Sequence, residues 1–120
     1  MLQEKYLDSV KIFSVDYKAL LKSIGVACAG IRKEYNHVKK VLLFGSFLKR
    51  NYTPESDVDI LIVVENDDTP FMERRDLFYD FFLDIPFDIN ILVYTEAELN
   101  NMLKRGNLFI KSILSEAKEL

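Results

Sequence analysis

Asp57 and Asp59 stand two residues apart where the apolar run Val58–Val64 begins. In a strand, residues i and i+2 point to the same face with Cα atoms roughly 6.5–7 Å apart, so the two carboxylates converge at the edge of a sheet. Unpaired, they repel each other and raise one pKa. A divalent cation removes that cost. Oxygen ligands with no His or Cys beside them suit Mg2+ or Mn2+ rather than Zn2+. Asp88 interrupts a later alternating run between Phe87 and Ile89. If its strand neighbours Val58–Val64, its carboxylate joins the pair. Three converging acids can hold two ions, which suits in-line phosphoryl transfer.

Gly45-Ser46 supplies the other half, at the end of the apolar run Val41–Phe44. Glycine lets a backbone approach a ligand closely. A serine opening a short helix offers its hydroxyl and free N–H groups to an anion. Lys49 or Arg50, on the same turn, can reach a terminal phosphate. Each piece has a bland alternative: Gly-Ser is common in turns, acidic pairs solubilise strand ends, and Asp88 can cap a neighbour. The combination, with ten residues between Ser46 and Asp57 and a strand on each side, favours the metal and phosphate reading.

The rest of the chain must position these groups. Its 120 residues carry 16 Lys and Arg against 19 Asp and Glu, a formal net charge of −3. That length predicts a single domain over 1–120. The acidic balance disfavours broad nucleic-acid binding, which relies on cations neutralising phosphates. One cysteine, Cys28, excludes an internal disulfide and fits a reducing cytoplasm. Its apolar neighbours make it a buried small side chain rather than a nucleophile. No signal peptide or membrane-spanning run is visible. His37, the only histidine, reads as a helix-end residue.

Residues Met1–Asp8 read as a loose helical turn and Val10–Phe13 as a short strand. The stripe Tyr17, Leu20, Leu21, Ile24, Ala27, Cys28, Ile31 and Tyr35 predicts a helix over Asp16 to Tyr35, capped by Ser14 or Asp16. Val41–Phe44 and Val58–Val64 predict buried strands, with a turn of helix over Phe47–Arg50 and a loop over 51–55. Thr69 and Pro70 open a helix running through Leu83, whose aromatic cluster reads as core with a partial interface role. A half-buried strand follows over Phe87–Tyr94. Thr95-Glu96-Ala97-Glu98 is a capping box for a helix to about Lys104, and Gly106 stops it. Asn107 caps a last helix with Phe109, Ile110, Ile113, Leu114 and Ala117 as its stripe. The fold class is therefore α/β (α+β), a small mixed sheet of three or more strands packed with helices.

These residues carry a resemblance. Gly45-Ser46, then Pro54-Glu55-Ser56-Asp57-Val58-Asp59, then Phe87-Asp88-Ile89 resemble the nucleotidyltransferase superfamily that includes DNA polymerase beta and kanamycin nucleotidyltransferase. The match is to its small prokaryotic branch, the minimal nucleotidyltransferase (MNT) domains, and covers roughly Val38 onward. The tail from Gly106 through Leu114 resembles the end of those domains. The resemblance implies ATP or another NTP, two Mg2+ ions, and transfer of a nucleoside monophosphate to an acceptor hydroxyl. By position, Asp57 and Asp59 would bind both ions. Asp88 would bind the catalytic ion and help deprotonate the acceptor, while Gly45 and Ser46 would hold the β/γ phosphates, beside Lys49 on the same turn. A chain this short is expected to lack the extra domain with which larger members bind an acceptor, so the acceptor or its binding surface is expected from a partner. Small MNT proteins are commonly paired with HEPN-domain proteins, some as antitoxins. A HEPN partner in the cytoplasm is expected, and a homodimer is a second option. The alternative is an antitoxin that neutralises a HEPN toxin by complex formation alone. One departure stands out: Arg50 occupies a position where the family usually has glycine, which implies a changed turn after Ser46.

Overall fold

The computed structural model describes residues 2–7, 10–53 and 55–120, with side chains from Asp16 onward. Pro54, part of the loop expected over 51–55, lies outside the described residues.

The first residues form strands β1 (Leu2–Leu7) and β2 (Val10–Val15), paired antiparallel from Leu2↔Val15 to Leu7↔Val10. Residues 2–7 are thus a strand and not the expected helical turn. A single helical turn fixes several residues for one hydrogen bond, whereas pairing with β2 gives the same segment a full ladder. Helix α1 (Tyr17–Glu34) starts at Asp16, whose carboxylate accepts from the Ala19 N–H at 3.0 Å, one of the two caps foreseen. It buries Leu20, Ile24, Ala27, Cys28 and Ile31, the expected stripe.

Strand β3 (Val38–Phe44) leads through Gly45 into the four-residue helix α2 (Ser46–Lys49), and β4 (Val58–Val64) follows. The long helix expected from Pro70 to Leu83 is instead the short α3 (Phe71–Arg74) and two 3-10 turns, Arg75–Leu77 and Tyr79–Phe82. Pro70 rather than Thr69 occupies the cap position, without a side-chain hydrogen bond. The cause is Arg74, drawn inward to 8 % exposure. Its guanidinium donates to the carbonyls of Thr69, Asp67 and Val93 and to the Glu98 carboxylate at 2.6 Å. The tighter winding that follows drops Phe78, Phe82 and Ile85 into the core, so the aromatic cluster serves mainly as packing.

Strand β5 (Ile89–Thr95) leads into α4 (Glu96–Lys104) through a complete capping box between Thr95 and Glu98. Asn107 then caps α5 (Leu108–Glu116), accepting from Ile110 N–H at 3.0 Å. Ala117, the last residue of the expected stripe, is the C-cap of α5, and directly after it a two-residue strand, β6 (Lys118–Glu119), joins the sheet. The main sheet has the order β5-β4-β3-β6. β3 is antiparallel to both β4 and β6, and β4 is parallel to β5. This is the mixed α/β sheet expected.

β4 is apolar on both sides because both sides are covered. On one, Ile60, Ile62 and Ile91 pack with α1 and Phe78. On the other, Leu42, Phe44, Leu61 and Val63 pack with Leu99, Ile110 and Ile113. Cys28 is fully buried, and burial pushes its thiol up to about 11, against a smaller opposing pull from Arg32. It is a packing residue, as its neighbours predicted. No helix among the described residues is long and apolar enough to cross a membrane.

Candidate active site: a carboxylate packed against a glycine turn

The β3–β4 register places Phe44 directly opposite Asp59. The chain leaves Phe44 through Gly45 at φ 79 and ψ −155, a region open essentially to glycine alone. That turn carries the Gly45 Cα across the Asp59 carboxylate. A Cβ at position 45 would lie 2.1 Å from Asp59 Oδ2 and 3.0 Å from its Cγ. Gly45 is therefore required twice, for its dihedral angles and for its missing side chain.

Asp59 forms part of a cleft of about 370 Å³ lined by Phe44, Gly45, Leu48, Lys49 and Asn90 on the sheet side and by α5 opposite. Burial is the main reason its carboxyl is held above the ordinary range. A hydrogen bond from Asn90 lowers it, and the nearby Asp57 charge raises it further. The Asn90 Nδ2 donates to Asp59 Oδ1 at 3.1 Å, from the position directly across the parallel β4–β5 pair. The sequence reading assigned Asn90 no role. The available signal was its two-residue spacing from Asp88, which puts both on the acidic face once β5 is known to neighbour β4. Asn90→Ala leaves the half-buried carboxylate without this donor. The nucleotidyl transfer that the resemblance implies should then fall about tenfold or more, since a hydrogen bond to a charged group contributes roughly 1.5–3 kcal/mol. Single-turnover rates at saturating nucleotide read that loss.

The remaining expected residues are less tightly gathered. Asp57 is exposed, one residue before β4. Asp88 precedes β5 rather than lying within it, and its side chain is exposed. Its carbonyl accepts from Val58 N–H at 2.8 Å, which pins the start of β5 to the start of β4. Continuing the parallel register back by one residue sets Asp88 beside Asp57. Among the described residues, no group of three or more His, Cys, Asp or Glu side chains converges as a ready metal cluster. Asp57 and Asp59 alone fit Mg2+, which is usually held by one or two carboxylates together with substrate phosphates.

Ser46 begins α2, half-buried, and its carbonyl accepts from the N–H groups of Arg50 and Asn51. Lys49 lines the cleft, with Nζ 3.5 Å from the Glu116 carboxylate on α5. Arg50 corrects an expectation. The turn is not changed: Arg50 itself takes the left-handed conformation a glycine would adopt, at φ 59 and ψ 25. Its guanidinium sits 4.4 Å above the Tyr17 ring. Tyr17 stacks on Tyr52, and Tyr52 stacks on Phe47. The left-handed conformation costs a side chain about 1–2 kcal/mol, and an exposed cation–π contact returns about 0.5–1 kcal/mol. Arg50→Gly should therefore leave stability unchanged or raise it by no more than about 1 kcal/mol. Tyr17→Ala should cost more in the wild type than in the Arg50→Gly background, as read by urea denaturation of the four proteins.

The comparisons with known proteins converge. The polymerase beta nucleotidyltransferase family model matches residues 27–120, so it includes the second half of α1 as well as the motif region. A protein of Methanocaldococcus jannaschii named "Putative protein adenylyltransferase" is 33% identical over 100 residues, covering 82% of this chain and 95% of that one. A crystal structure titled as a putative nucleotidyltransferase from Sulfolobus solfataricus superposes with a TM-score of 0.58 at 21% identity, covering 71% of this chain and 75% of the other. That likeness shows the fold. With the family model spanning most of its length and its glycine turn closed on an aspartate, the chain belongs to the polymerase beta nucleotidyltransferase family.

Proposed function

We propose that the chain, acting as a single minimal domain, transfers a nucleoside monophosphate from ATP or another NTP to a hydroxyl of a partner protein. The observation that carries this reading is the Asp59 carboxylate fixed at the cleft by Gly45 and Asn90. Asp57 and Asp59 would hold divalent magnesium, or manganese in its place. When bound, the metal neutralises charge on the phosphates. Gly45 and Ser46 present backbone N–H groups to the phosphate chain, and Lys49 adds a positive charge at the cleft wall. The acceptor oxygen attacks the α-phosphorus, the bond to pyrophosphate breaks, and Asp88, at the open edge beside Asp57, takes the acceptor proton. The exposure of Asp88 suits a base that must meet a hydroxyl carried by another molecule. The choice of a protein acceptor draws on the name of the M. jannaschii relative, nearly all of whose length the chain matches.

The test uses ATP labelled at the α-phosphate, Mg2+ and a cell lysate or a HEPN-family partner. Label should appear on protein from α-labelled ATP and not from γ-labelled ATP. Equal labelling by an Asp57→Asn/Asp59→Asn double variant would show that these residues do not carry the chemistry.

The second reading is a cytoplasmic antitoxin that neutralises a HEPN toxin by complex formation. Exposed Met72, Leu77 and Leu83 around the 3-10 turns favour it, since they offer apolar surface away from the cleft. It predicts that the double variant still binds and neutralises the toxin. Complex formation without neutralisation in that variant would contradict it.

A further inference from the structure

The wall of the cleft facing Asp59 is one face of α5, made by Phe109, Ser112, Ile113 and Glu116. Their spacing of three, four and seven residues aligns them along the helix. Ile110 and Ile113 are buried against the sheet, whereas Phe109 remains 56 % exposed. The sequence stripe that placed Phe109 in the core was too wide. The ring stands edge-to-face with Phe44 at 6.4 Å and 80°, so one aromatic neighbour flanks it while more than half of the residue is open to solvent. Phe44 is itself the residue opposite Asp59. The same cleft therefore runs from an acidic, glycine-backed end to an aromatic one. Its volume, about 370 Å³, lies in the range of about 300–1,000 Å³ typical of small-molecule sites.

We propose that Phe109 is the stacking platform for the base of the nucleoside triphosphate, and so a base-binding residue of the site. The proposal rests on the nucleotide reading above and adds to it which element holds the base. An exposed phenyl ring beside another aromatic side chain offers a free π surface on which a planar base can stack. Stacking is worth enough per base to be read directly in affinity, and it takes the planar part of the ligand while the charged part lies toward Gly45, Lys49 and the aspartates. Ser112, one turn further along the same face, gives that end of the cleft a hydroxyl.

The experiment compares MgATP with magnesium tripolyphosphate, which has the phosphates and lacks the base. Calorimetric titration of the full chain should show Phe109→Ala weakening MgATP about tenfold while leaving tripolyphosphate unchanged. The chain contains no tryptophan, so Phe109→Trp introduces a single indole. Its fluorescence should be quenched by MgATP and unaffected by tripolyphosphate, with affinity for MgATP kept at or above that of the wild type. If the wild type binds both ligands and Phe109→Ala changes neither, the base subsite is overturned and the nucleotide reading stands. A parallel loss of both ligands in Phe109→Ala also overturns it, because the residue then acts through the shape of the cleft. If the wild type binds neither ligand, the nucleotide reading falls and this proposal falls with it.

Discussion

Gly45→Ala should lower the rate of nucleotidyl transfer by at least about 100-fold while the protein stays folded. Two effects combine. The backbone at φ 79 and ψ −155 lies outside the regions available to alanine, which costs about 1–3 kcal/mol. The added methyl would also meet the Asp59 carboxylate at 2.1 Å, so the carboxylate must rotate or the turn must open. A displacement of about 1 Å in a group that positions reactants is enough for a 100-fold loss. Gly106 supplies the control. It has nearly the same φ, 76, and nothing lies within 4 Å of where its Cβ would be. Gly106→Ala should therefore lose some stability, about 1 kcal/mol, and no activity. Thermal melts and single-turnover rates on the two variants separate strain from collision. Equal loss of transfer in both would mean that contact with Asp59 is not what makes Gly45 necessary.

Asp59→Asn should abolish transfer, with a fall of at least about 1,000-fold, and at the same time raise the melting temperature at pH 7. On the function proposed above, the activity loss follows from removing a charge that would hold the divalent metal against the phosphates, where electrostatic groups contribute most. The stability gain follows from linkage. Burial, the main cause, holds the Asp59 carboxyl above its ordinary value of 3.8 in the folded chain. The folded state therefore ionises this group less willingly than the unfolded state does. Its contribution is most favourable below the unfolded value and is lost as pH rises through the folded one. Asparagine removes the charge and still accepts the Asn90 hydrogen bond through its own Oδ1. The difference in melting temperature between variant and wild type should grow from pH 4 to pH 7. Mg2+ should stabilise the wild type and leave the variant unmoved. A variant less stable than the wild type at pH 7 would mean that Asp59 is a structural anchor and not a strained charge.

These expectations differ in how far the sequence alone could reach them. Val58–Val64 was readable to the residue, because a short run rich in Val and Ile, broken only by Asp59 and Leu61 and covered on both faces, has few other homes. Asp16, Thr95 and Asn107 were readable as caps, because a cap is a contact over three residues. Gly45 and Asp59 were singled out by type and spacing, but their collision was not. It arises from an antiparallel register that pairs Phe44 with Asp59 across a loop. Asn90 was missed for the same reason, since its bond to Asp59 exists only after β4 and β5 align in parallel. Leu2–Leu7 lacked a strand signature because its strand character comes from its partner. Phe109 fitted a helical stripe by count, but the stripe was wider than the sheet surface beneath it.

Strand β6 ties the α5 wall of the cleft to the edge of the sheet. Immediately beyond α5 the chain is stitched to β3 by the pairs Leu42↔Glu119 and Leu43↔Lys118, and the Leu120 N–H donates to the Val41 carbonyl at 2.9 Å. Arg32 on α1 reaches over to the Leu120 carbonyl. One side wall of the cleft thus hangs from a zipper at the margin of the sheet that carries its floor. Parting α5 from the sheet would unpick only this two-pair ladder and leave the pairings among β3, β4 and β5 in place.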